Sequence, residues 1–350
     1  FKNDNLIKVY NGSNTNDQIM PVIPGWYRTS GLSMDEDGNM WIGVSDVTKY
    51  LSVKRTDGVF QNFLFDGIAR FTRKVYCDKN NQIWMLHERD QGLTVAKFVK
   101  SGSSFVMNTY KVLNKNVGSG NLGSNSVYSF CEDLDGKIWI GTSNGIRVFN
   151  NPDNILSGGS VDGEPIKIVQ DGNVELLLDA ETVSCIDVDA ANNKWVGTSS
   201  GGVYCFSPDG QKQIYHFTKH NSNLYSDEII DIKYNGKTGD VFIGSSLGIQ
   251  SYKNIIIDGS ENYSNVKAYP NPVKPNYTGN VFISGLMDNS IVKIVDASGN
   301  FVWEVKSEGG RVVWPLKNFS NNRVPSGVYL IYASVPTGEF KVVSKILVLN

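Results

Sequence analysis

Apolar and polar residues alternate in short runs along most of the chain, and turns rich in glycine or asparagine separate these runs. The segment Val127–Phe149 is an example: VYSFCE alternates, DLDGK forms a turn, IWIGT is apolar, SN forms a second turn, and GIRVF follows. A period of two indicates half-buried β-strands, and Asp-Gly or Asn-Gly sequences favour tight hairpins. This segment therefore predicts three antiparallel strands. Runs such as Gln213–Lys219 predict a looser fourth strand on the outside of the unit.

The same pattern occurs five times along the chain. The copies are Ser30–Ser45, Lys74–His87, Ser126–Ser143, Thr182–Ser199 and Ile229–Ser246. Each copy carries one large aromatic residue at the same place, which we call its anchor; the anchors are Trp41, Trp84, Trp139, Trp195 and Phe242, at spacings of 43, 55, 56 and 47 residues. A four-stranded unit repeated about every 40–50 residues is typical of β-propeller blades. We expect the anchors to fill the space between neighbouring blades, because one blade cannot bury both of its faces alone.

An aspartate stands six residues before four of the anchors. These aspartates are Asp35, Asp78, Asp133 and Asp189. The sequences DEDG and DLDG have a superficial likeness to calcium-binding loops, but the spacing is too short and no glutamate closes the loop. We expect each aspartate to bond to the backbone of its own hairpin. The sequence predicts neither a metal site nor a cofactor.

The repeat from Asn125 to Ile146, NSVYSFCEDLDGKIWIGTSNGI, is similar to the two-component regulator propeller repeat of Bacteroidetes. Propellers of this family have seven blades. The resemblance therefore implies that the five repeats are part of a larger or seven-bladed ring with further blades upstream; the alternative is a ring that closes with fewer units. The segment LIKVY at Leu6–Tyr10 is predicted to be an outer strand of an earlier blade, and we expect the chain to be a part of a longer protein.

The repeat period stops after Asp258. Residues 259–265 are polar and indicate a linker. Alternating runs then return in NVFISG, SIVKIVD, FVWEVK, SGVYLIYAS and FKVVSKILVLN, and about seven short strands over 266–350 predict a small Ig-like β-sandwich. The predicted fold is all-β, with propeller blades over 1–258, the linker over 259–265 and the sandwich over 266–350.

The final module resembles the type A sorting domain of the type IX secretion system. The matching residues are Tyr269, Pro270, Asn271, Pro272, Gly327, Tyr329, Lys345, Ile346, Leu347 and Val348. The resemblance implies export to the outer membrane or cell surface of a Gram-negative Bacteroidetes-type cell. Repeat blades followed by a sorting domain resemble the surface components of the type IX apparatus itself. That resemblance implies the secretion machinery and its sortase complex as partners, and an anionic lipopolysaccharide or glycan as ligand.

Charge and hydropathy argue against nucleic acid as a partner and against a membrane-spanning helix. The net charge is −2, so no basic footprint for nucleic acid is present. No apolar run approaches the length of a membrane-spanning helix. The four cysteines, at 77, 131, 185 and 205, form no CxxC motif and are predicted to be unbridged, buried thiols.

Evidence for catalysis is weak, and we expect a non-enzymatic protein. His87 follows an anchor strand and is predicted to be a core residue, while His216 and His220 are predicted at the solvent-facing rim. No HExxH motif is present. Two alternatives stay open: a ligand-binding sensor ectodomain, and an exported polysaccharide hydrolase or lyase.

The predicted ligand site lies in the loops that precede the innermost strands, which we call the leading loops. They span residues 25–30, 67–74, 122–126, 179–182 and 224–228. In a propeller these loops gather at one mouth of the central channel. Two of them are basic and aromatic, with Trp26, Tyr27, Arg28, Arg70, Phe71, Arg73 and Lys74. Arginine binds carboxylate or phosphate in a bidentate manner and aromatic rings stack on sugars, so the pattern predicts an anionic saccharide; the alternative is that these loops only pack on neighbouring blades.

Overall fold

The computed structural model describes residues 8–170, 173–336 and 338–350. It divides into two compact units. The first unit ends at Ile186 and resumes over Val196–Asp231, and the second comprises Asp187–Trp195 and Ile232–Asn350. Helix is limited, within the described residues, to one turn at Gly12–Thr15 (α1) and one at Asn154–Ser157 (α2). The all-β prediction is confirmed.

Four antiparallel sheets of four strands each, with the strands in sequential order, correspond to the first four repeats. The first sheet contains β1 (Thr29–Met34), β2 (Met40–Val44), β3 (Leu51–Lys54) and β4 (Phe60–Phe63). The second contains β5 (Thr72–Cys77), β6 (Gln82–His87), β7 (Leu93–Ser101) and β8 (Ser104–Leu113). The third contains β9 (Val127–Glu132), β10 (Ile138–Thr142), β11 (Gly145–Phe149) and β12 (Glu164–Pro165).

Beyond the third sheet, a separate hairpin of β13 (Lys167–Gln170) and β14 (Asn173–Leu176) interrupts the repeat. The fourth sheet contains β15 (Val183–Val188), β16 (Lys194–Thr198), β17 (Val203–Phe206) and β18 (Gln213–Phe217). The fifth repeat forms three strands, β19 (Ile229–Asn235), β20 (Asp240–Ser245) and β21 (Gly248–Lys253). Each sheet therefore has the inner-to-outer strand order of a propeller blade.

The anchors pack between consecutive sheets, as the repeat predicts. Trp41 contacts Phe98 and Phe105 of the second sheet, with ring centroids 4.8 and 5.2 Å away. Trp84 contacts Phe130 and Phe149 of the third sheet in the same way. The four tryptophan anchors are at most 2% exposed. Phe242, the anchor of the fifth repeat, is 41% exposed.

Each repeat aspartate holds its hairpin and its anchor together. Asp133 accepts the backbone N–H of Lys137 at 3.0 Å and the indole Nε1–H of Trp139 at 2.9 Å. Asp78 accepts the corresponding bonds from Gln82 and Trp84, both at 2.8 Å. Asp35 and Asp189 make the same pair of bonds. The predicted hairpin role of these aspartates is confirmed, and within the described residues no cluster of three potential metal ligands is found.

Residues 266–350 form two antiparallel sheets around one shared core. One sheet has the order β22 (Lys267–Tyr269), β23 (Val281–Ser284), β26 (Arg311–Trp314). The other has the order β25 (Phe301–Lys306), β24 (Ile291–Asp296), β27 (Gly327–Ser334), β28 (Lys341–Val348). Ile283 and Trp314 from the first sheet pack with Ile294, Ile331 and Ile346 from the second, and all five are fully buried. This arrangement is the predicted β-sandwich.

The four cysteines lie within the described residues and are thiols rather than disulfides, as predicted. Cys185 and Cys205 are buried, whereas Cys77 and Cys131 are only half-buried, so the prediction of burial holds for two of the four. No helix of the described residues has the length and apolarity needed to cross a membrane. Of the strand predicted at Leu6–Tyr10, Leu6 and Ile7 lie outside the described residues, and residues 8–10 form no strand.

Candidate functional site

Backbone bonds join each leading loop to the preceding sheet. The turn between the second and third strands of one sheet donates an N–H to a carbonyl in the leading loop of the next sheet. This bond runs from Asp46 to Arg70, from Gly92 to Asn125, from Gly145 to Glu181 and from Gly202 to Asp227. The turns between the second and third strands and the leading loops therefore lie along the same edge of the stacked sheets. We call it the leading-loop edge. The predicted ligand residues come from the first two leading loops, at the beginning of this edge.

Arg28 and Arg70 come from consecutive leading loops and meet around Asp46. The Arg28 guanidinium lies 3.2 Å from the Asp46 carboxylate, and the Asp46 N–H donates to the Arg70 carbonyl at 2.6 Å. Arg70 itself pairs with Asp66 at 2.6 Å, and its side chain is only 12% exposed. The structure thus brings the two predicted arginines together. It also pairs both with carboxylates, and it largely buries Arg70.

A second group surrounds Phe71 and Arg73. Arg73 lies 3.8 Å from Glu88, and both side chains are about half exposed. The Glu88 N–H donates to the Phe71 carbonyl at 2.8 Å, which fixes this turn against the leading loop. The Arg89 guanidinium lies 3.5 Å from the centroid of the Phe71 ring, a stacked cation–π contact.

The remaining predicted residues divide between the surface and the interior. Trp26 is 58% exposed and lies beneath the Arg28 guanidinium at 5.4 Å, which gives a solvent-facing aromatic–cation pair. Tyr27 packs against Gly12, where an added Cβ would lie 2.6 Å from the phenol oxygen. Lys74 does not face the leading-loop edge, because its ammonium donates to the Phe130 carbonyl at 2.7 Å and lies over the Phe130 ring. Tyr27 and Lys74 therefore take structural contacts.

A buried polar cluster lies directly below this edge. His87 is fully buried, with its Nδ1 3.2 Å from the Thr72 hydroxyl and its Nε2 2.8 Å from the Thr94 hydroxyl. Burial, together with the nearby Arg70 charge, lowers the pKa of His87 to about 3, so the imidazole is neutral. Burial also raises the pKa of Tyr50, whose ring makes an edge contact with His87, to about 12. His87 is therefore the core histidine that the sequence predicts.

The other two histidines differ in burial and contacts. His216 is half-buried, stacks on Tyr204 at 3.9 Å and bonds to the Gly201 carbonyl at 2.8 Å. His220 is exposed, as predicted for the rim.

The exposed part of the candidate site consists of Trp26, Arg28, Arg73 and Arg89, with the half-buried Phe71 ring beside Arg89. Sequence reasoning missed Arg89 and the pairing carboxylates Asp46 and Glu88. These three residues lie in the turns after β2 and β6, in the sequences VSD and HERD. Their position directly after a strand that carries an anchor is the feature of the sequence that could have identified them. Aromatic faces beside guanidinium groups can stack on a sugar ring and donate to an acidic substituent.

The two predicted ends of the sorting signal are joined in the structure. The Asn271 amide donates to the Lys345 carbonyl at 2.9 Å, and its Oδ1 accepts the Leu347 N–H at 3.1 Å. Val273 continues the contact with Val348 as a parallel bridge. On the other side of the last strand, Gly327 pairs with Val348 and Tyr329 with Ile346. The Asn271 side-chain bonds and the β27–β28 backbone pairing therefore connect all three predicted pieces.

Comparison with known proteins supports the propeller assignment. Residues 121–144 match the family described as the two component regulator propeller. No curated protein matches the chain. Among solved structures, PorZ from Porphyromonas gingivalis, described as an essential bacterial surface component of the type IX secretion system, aligns over 100% of this chain with 27% identity and a TM-score of 0.67. The chain spans 48% of the length of PorZ.

Two further structures align at lower scores. The extracellular domain of the hybrid two component system BT3049 from B. thetaiotaomicron is 16% identical over 99% of this chain and 51% of that protein, with a TM-score of 0.38. Virginiamycin B lyase from Staphylococcus aureus is 11% identical over 92% of this chain and 95% of the lyase, with a TM-score of 0.41. Neither alignment bears on function. One repeat of the chain, at residues 121–144, matches the two component regulator propeller family, and the chain is similar over its whole length to a part of PorZ.

Proposed function

We propose that this protein is a non-enzymatic component of a bacterial cell surface, exported by a type IX secretion system and acting with its attachment machinery. The observation that carries the proposal is the alignment with PorZ, which extends over the blades and the sandwich together at 27% identity. A shared propeller alone would support only a shared scaffold. The outer-membrane location and a sortase complex as partner follow from the same resemblance.

We propose that the sandwich is the sorting domain. In support, the Asn271 side chain of the YPNP sequence bonds to Lys345 and Leu347 on one edge of β28, so the two matching pieces form one structural feature. A receptor that reads this module would then meet an ordered strand.

A non-enzymatic role is supported by the state of the histidines. His87 is enclosed and neutral, and His216 is held against a backbone carbonyl. The alternative of a sensor ectodomain is favoured by the repeat at 121–144, because its family is named for two-component regulators. The full-length alignment with PorZ, sandwich included, favours the secretion role.

Export is tested by surface labelling in a Bacteroidetes strain with a working type IX system and in a matched strain that lacks its translocon. The full-length protein, carrying an epitope, is followed in intact cells by membrane-impermeant biotin. We expect surface labelling in the first strain and periplasmic retention in the second. Equal surface labelling in both strains would contradict the proposal.

We further propose that the leading-loop edge binds an anionic lipopolysaccharide or glycan. Two aromatic–cation pairs support this: the exposed pair of Trp26 and Arg28, and the exposed Arg89 on the half-buried Phe71 ring. The double variant Arg28→Glu/Arg73→Glu should weaken binding of purified lipopolysaccharide and reduce its salt dependence. Each exposed contact contributes up to about 1 kcal/mol, so two changes are needed for a clear difference.

The matched control is Lys97→Glu/Lys100→Glu on β7. These lysines are also exposed and also paired with carboxylates, at Asp153 and Asp37, so the charge change and the loss of ion pairs are equal. We expect the control to bind like the parent protein at low and high salt. If both double variants lose binding equally, the attraction is a general charge effect and the leading-loop site is wrong.

A further inference from the structure

A large cavity opens beside the third sheet. It lies near the hairpin that joins β9 and β10, at the end of the sheet opposite the leading loops. Its volume is about 490 Å³, within the range of small-molecule sites. It exists because the outer strand of the third sheet is short: β12 has two residues, whereas β4, β8 and β18 have four, ten and five. The chain leaves the sheet at Ile166 and enters the β13–β14 hairpin. The face of the third sheet beside β12 is therefore left partly uncovered.

Strand register places the floor and one wall of the cavity on the same sheet face. Trp139 pairs with Val148, and Val148 pairs with Glu164. Side chains directly opposite one another on adjacent strands share a face. Trp139, Val148 and Ile166 form a buried apolar floor, and Glu164 stands at its edge.

The opposite wall is the turn between β17 and β18. Gly210 occupies the left-handed region, with φ of +75°, and an added Cβ would lie 2.8 Å from Ile166 and 3.1 Å from Trp139. Only glycine therefore allows this turn to approach the apolar floor. The approach places Asp209 and Gln211, which flank Gly210, on the rim of the cavity.

The rim carries polar groups of balanced charge. Asp209 is oriented by the Ser207 hydroxyl at 2.6 Å and the Gln211 N–H at 3.0 Å, and Glu164 by the Asn150 amide at 3.0 Å. Lys137 and Lys167 complete the rim, and within the described residues neither lysine forms an ion pair. Two carboxylates, two amines and two amides thus surround an apolar floor, with no net charge.

From this arrangement we propose that the cavity is a binding site for a neutral saccharide unit, separate from the leading-loop edge. Vicinal hydroxyls can donate to the fixed carboxylates of Asp209 and Glu164 and accept from the lysine and amide groups. The C–H face of the ring can lie on the apolar floor. A charged ligand fits less well, because it would face a like charge on one side of the rim.

The proposal is tested by ligand-observed NMR on the full chain, with neutral trisaccharides of glucose, mannose, galactose and N-acetylglucosamine as probes. We expect saturable binding of at least one probe in the millimolar range or tighter, unchanged between low and high salt. The variant Glu164→Gln/Asp209→Asn should weaken that binding at least about tenfold, because it removes two charge-assisted acceptors.

Asp57→Asn is the matched control. Asp57 precedes Gly58 in the turn between β3 and β4 and accepts the Val59 N–H at 3.0 Å, so it is the counterpart of Asp209 on the first sheet. We expect it to bind the probe as the parent chain does. Absence of saturable binding for every probe, or undiminished binding in the folded Glu164/Asp209 variant, would overturn the proposal. The Arg28→Glu/Arg73→Glu variant should retain saccharide binding, so failure here and failure of the leading-loop site are distinguishable.

Discussion

At the residue scale, the aspartate found in each of the first four repeats is the most consequential polar group. It lies six residues before the anchor, closes the first hairpin and accepts the indole N–H, so it links local turn geometry to the packing between sheets. Asp133 is 1% exposed. A buried carboxylate that accepts several N–H bonds stabilises the fold as long as every bond is kept, because an unsatisfied buried donor is costly.

Asp133→Ala should therefore lower the free energy of unfolding by about 2 kcal/mol, since it leaves the Trp139 indole and the hairpin N–H groups without their acceptor. Chemical denaturation of the variant and the parent protein measures this difference. Glu175→Ala, an exposed carboxylate on β14, is the control and should change stability by less than about 0.5 kcal/mol. Equal effects of the two substitutions would contradict the structural role of Asp133.

The buried imidazole of His87 leads to a prediction about acid stability. Its pKa is lowered from 6.5 to about 3, so the unfolded chain takes up a proton at a higher pH than the folded one. Stability should fall as the pH decreases from about 6.5 towards 3, by up to about 1.4 kcal/mol per pH unit from this group. Comparing the slopes for the parent protein and His87→Gln isolates the contribution, because the carboxylates titrate in both. Equal slopes of unfolding free energy against pH in the two proteins would mean that His87 does not cause the loss of stability in acid.

At the element scale, the contribution of an anchor to the free energy of unfolding depends on how far the neighbouring sheet covers its ring. Trp195 is fully buried, bonds to Asp189 at 3.1 Å and contacts the Tyr252 ring at 5.6 Å. Phe242 stands at the same point of its repeat but is 41% exposed. Equivalent positions in the sequence therefore have unequal burial.

Trp195→Ala should cost about 3 to 5 kcal/mol of unfolding free energy, whereas Phe242→Ala should cost about 1 kcal/mol, because the exposed ring loses less burial on truncation. Denaturant titration monitored by circular dichroism measures both. A cost for Phe242→Ala as large as that for Trp195→Ala would show that this face is covered in solution.

At the scale of the whole molecule, the connection between the fifth repeat and the sandwich is a fixed joint within the second unit. The Gly310 N–H donates to the Ile257 carbonyl at 2.7 Å, and Arg311 donates to the Ile255 carbonyl at 3.2 Å. Ser260, in the predicted linker, donates to the Leu286 carbonyl at 2.7 Å. Main-chain bonds on both sides of the joint hold the sandwich against the last repeat.

Gly310→Ala should loosen this joint, because an added Cβ would lie 2.2 Å from the Asp258 carbonyl oxygen. We expect new protease cleavage around residues 255–265 in limited proteolysis, while the sandwich and the repeats survive as fragments. Gly327→Ala serves as the control, since the nearest atom to its added Cβ is 3.9 Å away. Resistance of Gly310→Ala equal to that of the control would argue against a fixed joint.

Much of this architecture follows from local rules that a sequence displays. Period-two alternation, Asp-Gly turns and the recurring anchors define the strands, their hairpins and the blade repeat, since each depends on residues within about twenty positions of one another. The hairpin role of Asp133 follows in the same way from the chemistry of a short carboxylate beside a turn. The sequence by itself therefore determined the all-β class, the repeat units and the sandwich.

Tertiary structure decided what the functional side chains contact. The sequence predicted Arg28, Arg70 and Arg73 as available cations, but Asp46, Asp66 and Glu88 pair with them, and Lys74 turns towards Phe130. It offered no sign of the cavity at Glu164 and Asp209, because those residues are 45 positions apart and meet only where a short outer strand leaves room for the next turn. The physical reason is the separation in sequence of the residues that interact. Strands and turns form between residues that are close in sequence, whereas burial, charge pairing and cavities depend on distant segments that only the fold brings together.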